Sequence, residues 1–82
     1  KMKHFRVTTG KTWENMKEFT FESASDVIKQ IKNAQDFEIE WKTPVTGEYA
    51  TLFKVENGVI VYENENFKIP ATLEKAMRKY RR

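Results

Sequence analysis

The stretch FEIEW, residues 37–41, alternates apolar and acidic side chains without a break, and a period of two marks a half-buried strand. The same alternation runs through HFRVTT (residues 4–9), where Phe5 and Val7 oppose Arg6 and Thr8. It returns in MKEFTFE (residues 16–22), with Phe19 and Phe21 on one side. Gly10 parts these two runs, which predicts a β-hairpin with a long connection around Trp13. From residue 24 the period changes. Ala24, Val27, Ile28, Ile31 and Ala34 recur at helical spacing while Lys29, Gln30, Lys32 and Asn33 fall elsewhere, so residues 24–34 read as an amphipathic helix. Ser23 with Asp26 three residues on is an acidic form of the capping box, and Asn33 is a C-terminal signal.

Beyond a TPVTG loop, a strand over roughly 48–56 meets Asn57-Gly58 and then VIVYE, residues 59–63. An Asn-Gly pair between apolar runs predicts a type I′ hairpin, because both central residues need positive φ. A two-residue turn pairs Glu56 with Val59, Val55 with Ile60, Lys54 with Val61 and Phe53 with Tyr62. Pairing Lys42 with Glu48 in the preceding hairpin sets Trp41 against Tyr49 and Phe37 against Phe53. One sheet face then collects Phe37, Ile39, Trp41, Tyr49, Phe53, Val55, Ile60 and Tyr62. Pro70 opens a last helix whose apolar stripe is Leu73, Ala76, Met77 and Tyr80. The expected fold is α+β, a two-layer sandwich in the order ββαβββα. Its antiparallel sheet carries two amphipathic helices on one face, within one domain spanning residues 1–82.

Composition narrows the function more than it defines it. With no cysteine, the 82-residue chain has no disulfide framework, thiolate zinc site or cysteine nucleophile. Its charged fraction and scarcity of Gly and Pro argue against disorder, and its stability is expected on the order of 5 kcal/mol. A net charge of +3 is too small to indicate nucleic-acid binding by itself. No apolar run is long enough for a membrane span and no signal-peptide core opens the chain, so a cytoplasmic location without membrane attachment is expected. Met2 is expected to be the natural start, with Lys1 left by a tag.

Candidate chemistry is sparse. The single histidine, His4, has no carboxylate or nucleophile beside it in sequence and reads as a surface residue near the terminus. Glu38, Glu40 and Glu63 are expected outward on a flat sheet face, which supplies no cleft for acid–base work and no cage for a metal. Gly10, Gly47 and Gly58 are separate turn residues rather than a phosphate loop. No enzyme activity, metal or cofactor is expected.

From Ser25 onward the order α-β-β-β-α resembles the double-stranded-RNA-binding-domain topology, which the HicA family of small toxins also uses. The resemblance is carried by SDVIKQI, three strands and IPATLEKA, about two-thirds of the chain. It implies an arrangement of elements and no activity. The strand histidine of those toxins has no counterpart in TGEYATL, and Pro70-Ala71-Thr72-Leu73 lacks the basic helix start of the RNA-binding domains.

Two surfaces are left. The outward sheet face should be cleanly polar, yet Leu52, Val59 and Val61 interrupt it. With Glu38 and Glu63 as an acidic rim they form the first candidate, a site for a protein partner of basic character, as an adaptor, inhibitor or accessory protein of bacterial or phage type would use. Trp13 folding over that face is the plain structural alternative, and the strand edge near Phe5 is a second place for a partner strand or another copy. A monomer or weak homodimer is expected. The second candidate is the helix ATLEKAMRKYRR, where Lys75, Arg78, Lys79 and Arg82 gather opposite the apolar stripe. Nucleic-acid binding through them is the alternative function, and a solvated cationic face complementing the helix dipole is the plain reading.

Overall fold

The computed structural model describes residues 4–81. Expectations that fall on Lys1, Met2, Lys3 and Arg82 lie outside the described residues. The elements follow the predicted order: β1 (Phe5–Thr9), β2 (Lys17–Phe21), α1 (Ala24–Ile31), β3 (Phe37–Lys42), β4 (Tyr49–Glu56), β5 (Val59–Glu63) and α2 (Ala71–Met77). Short 3-10 turns occupy Trp13–Asn15 and Arg78–Tyr80. The sheet order is β2-β1-β3-β4-β5 with every neighbouring pair antiparallel. The fold is therefore the α+β arrangement the sequence predicts. No helix among the described residues is long and apolar enough to cross a membrane.

Local chemistry accounts for the elements. Ser23 caps α1, its Oγ accepting from the Asp26 backbone N–H at 3.4 Å. Asn57 and Gly58 both hold positive φ, 52° and 78°, as a type I′ hairpin requires. One core unites Phe5, Val7, Phe37, Ile39, Phe53 and Val55 of the sheet with Val27 and Ile31 of α1 and Leu73 and Met77 of α2. Tyr80 closes one end. Its ring meets Phe37 edge-on at 5.1 Å, and its hydroxyl donates to the Ile31 carbonyl at 3.1 Å, satisfying a terminal acceptor of α1.

Two β-bulges overturn part of the expected register. Glu40 pairs with Thr51 and Ile39 with Phe53, so Leu52 is the extra residue on β4. Val55 pairs with Ile60 and Lys54 with Tyr62, so Val61 is the extra residue on β5. Each bulge reverses the alternation beyond it. Leu52 turns into the core beside Phe53 and is 2% exposed, while Tyr49 and Tyr62, expected inside, stand on the outer face. Phe37 pairs with Val55 rather than Phe53, and Trp41 with Ala50 rather than Tyr49. Nor is β1 an edge, since β2 and β3 flank it; the edges are β2 and β5.

Gly10 has a backbone that L side chains avoid, with φ of 109°. A Cβ there would come within 2.5 Å of the Asn15 carbonyl oxygen. Gly10→Ala is expected to destabilise the protein by roughly 1–3 kcal/mol in denaturant unfolding, from backbone strain and displacement of the β1–β2 loop.

Candidate interaction surface

The outer sheet face is built on a charged network. Arg6 donates to both carboxylate oxygens of Glu40, from Nε at 2.7 Å and from Nη2 at 2.9 Å, and its guanidinium lies 4.1 Å from the Tyr49 ring centre. Bidentate pairing and stacking of this kind fix a guanidinium in place. The hydrogen bond to Glu40, reinforced by the charges of Glu40 and Glu18, raises the Arg6 pKa further against its partial desolvation. Thr51 donates its hydroxyl to Glu38, and Lys54 lies 3.8 Å from Glu56.

Apolar side chains border this floor. Trp13, on the 3-10 turn of the β1–β2 loop, is 89% exposed, and Met16 after it is 49% exposed. Both line a shallow depression with Thr8 and Glu18 of the outer face. Met16 also helps to line a second depression with Glu38, Lys54 and Glu56, so the loop continues into the sheet surface. On the far side of Lys54, edge strand β5 presents Val61 at 53% and Tyr62 at 48% exposure. Trp13 does not cover the face. Gly10 starts the turn that carries it, and Lys11 anchors the loop by donating to Asn57 Oδ1 at 3.0 Å.

The sequence-predicted site is only partly assembled. Val59 opposite Glu56, Val61 and Glu38 belong to or adjoin the outer surface. Leu52 is removed from it by its bulge, and Glu63 lies opposite inward-facing Phe53 on the helix side. There Arg81 Nη2 donates to Glu63 at 3.0 Å and to Glu74 at 2.9 Å. Tyr62 and Met16 are exposed apolar groups that the strand alternation does not indicate, and the run of four apolar residues from Val59 to Tyr62 is the sequence signal for the first. His4 is half-buried rather than a surface residue, stacked on Trp41 at 5.1 Å, with its carbonyl accepting from the Lys42 N–H at 2.7 Å.

The alternative cationic ridge is also rearranged. The α-helix stops at Met77 and a 3-10 turn carries Arg78, Lys79 and Tyr80, which breaks the 100° spacing on which the ridge depended. Lys75, Arg78 and Lys79 are all exposed, and Lys79 also donates to the Lys32 carbonyl at 3.1 Å.

The Glu63 carboxyl is held below its ordinary value near 4.5 by hydrogen bonds from Arg81, against a smaller opposing effect of burial. The Arg81 pKa is raised in turn, chiefly by Glu63 and then Glu74. The folded state thus binds the Glu63 proton less readily than the unfolded chain does. The resulting stabilisation is present above the unfolded-state value and is lost as pH falls through the depressed one. Glu63→Gln is therefore expected to lower stability at neutral pH, and denaturation curves of parent and variant should converge in acid.

Fold and surface together define a small α+β protein with an aromatic-bordered sheet face. No protein-family model, curated protein or solved structure matches the chain.

Proposed function

We propose that the protein is a non-enzymatic binding protein that engages a protein partner through the outer sheet face, with Trp13 as the anchor. The observation that carries this reading is the exposure of Trp13 beside Met16, on a loop tied to the sheet and outside a core that is complete without it. Tryptophan, tyrosine, methionine and arginine are the side chains enriched in interface centres, and Trp13, Tyr62, Met16 and Arg6 are spread over or beside this face. An interfacial tryptophan contributes most when it fills a desolvated pocket, so the partner is expected to offer an apolar cleft. Glu14, Glu18, Glu38 and Glu56 stand around the loop and floor among Lys11, Lys17 and Lys54, a margin of mixed charge that suits partner groups of both signs.

The test is photo-crosslinking in cells with a photoreactive amino acid at position 13, compared with position 45, an equally exposed site on the β3–β4 loop. The expected result is a discrete protein adduct from position 13 that position 45 does not give. Equal, diffuse labelling from both positions would count against the reading.

A further inference from the structure

The helix layer carries a different surface, a groove of about 430 Å³ between α1 and the segment formed by α2 and its terminal 3-10 turn. Ile28, Ala76 and Tyr80 contribute to its apolar lining, and Lys32, Lys75 and Lys79 contribute ammonium groups. We infer that this groove docks an acidic amphipathic helix of a protein partner, apolar side chains on the floor and carboxylates on the lysines.

The groove has a local cause. Ala76 is the small member of the α2 apolar stripe, so α2 does not fill the space beside Ile28, which stays half-buried though it packs against the core. Its charge is one-sided. Residues 24–34 and 71–81 hold six cations and two acids, and both acids are engaged: Asp26 accepts from the Ser23 hydroxyl, and Glu74 accepts from Arg81. Lys32 and Lys75 make no ion pair among the described residues. Lys79 is held by its bond to the Lys32 carbonyl, with its ammonium 5.1 Å from the Tyr80 ring centre.

The combination selects the occupant. A phosphate backbone would use the lysines but leave the apolar floor wet, because its affinity comes from charge neutralisation. A neutral peptide would use the floor and leave the lysines unanswered. An amphipathic helix with acidic flanks satisfies both, with its apolar positions at i, i+3, i+4 and i+7 laid on the floor between α1 and α2. The volume lies within the roughly 300–1,000 Å³ of ordinary binding clefts. This surface is independent of the sheet face, so either can fail alone.

The experiment titrates the whole protein against a fluorescein-labelled synthetic peptide about five helical turns long, with leucine on one stripe and glutamate on its flanks. The comparison ligands are the same composition with the stripe scrambled, short DNA and RNA duplexes, and phosphatidylglycerol vesicles. The striped peptide is expected to bind at least about tenfold tighter than the scrambled one. Lys32→Glu with Lys75→Glu is expected to weaken it by at least about tenfold, and amide shifts should map to Ile28, Ala76 and Tyr80. Both lysines are exposed, so the double variant keeps its fold. Equal binding of striped and scrambled peptides, or tighter binding of duplexes or vesicles through the same lysines, would overturn the assignment.

Discussion

Leu52→Asp is expected to abolish cooperative folding rather than to weaken a surface contact. Leu52 is 2% exposed and sits beside Phe53 in the core, so the substitution removes a buried aliphatic side chain and buries an unpaired carboxylate. Losing such a leucine alone costs about 2–5 kcal/mol, and the unpaired charge adds several more. Against stability on the order of 5 kcal/mol, nothing is left to hold the native state. Leu52→Met conserves volume and polarity and is expected to cost less than about 1.5 kcal/mol. Chemical denaturation followed by circular dichroism separates the two. A Leu52→Asp protein that keeps a full cooperative transition would mean that Leu52 faces solvent and that the β4 bulge is absent.

The second large effect is on binding. Trp13→Ala is expected to lower affinity for the partner captured at position 13 by about 30-fold or more, the roughly 2 kcal/mol typical of a hot-spot residue. Stability should change by no more than about 0.5 kcal/mol, since Trp13 lies outside the core. The loss is expected mainly in the dissociation rate, because a rim of mixed charge does little to change encounter. Titration calorimetry against the purified partner, paired with unfolding curves, measures both numbers. A Trp13→Ala protein with unchanged affinity would leave the loop without a role in recognition.

These two residues mark how far the sequence could be read. Strict alternation in β1 and β3, the Asn57-Gly58 turn and the stripe from Ala24 to Ala34 each specify an element by one local pattern, and the structure forms each of them, with α1 ending at Ile31 rather than at Ala34. A register carried outward from the turn holds for β4 and β5 only while neither strand gains a residue. Leu52 beside Phe53 breaks the alternation, and so does the run from Val59 to Tyr62. Such runs fit two opposite phases equally well, and the choice depends on sheet twist and core filling rather than on neighbours in sequence. That choice took Leu52 and Glu63 out of the expected site and put Tyr49 and Tyr62 on the outer face.

The place of Trp13 is illegible for another reason. A large aromatic is usually covered, which makes a position over the sheet the plain structural alternative, but the path of its loop depends on contacts distant in sequence. Lys11 with Asn57, and Gly10 N–H with the Asp36 carbonyl at 2.9 Å, set the direction of the loop. The basic C-terminus was similar: its composition was plain in the sequence, but the change from α to 3-10 geometry after Met77 and the capture of Lys79 by the end of α1 are tertiary.

The most direct measurement is amide chemical-shift mapping of the isotopically labelled protein as the partner captured at position 13 is added. The expected result is shifts in the 10–16 loop and on the outer-face positions Thr8, Glu18, Glu38, Lys54 and Tyr62, with the helix layer unperturbed. Shifts confined to α1 and α2, with Trp13 and its surroundings unmoved, would contradict it.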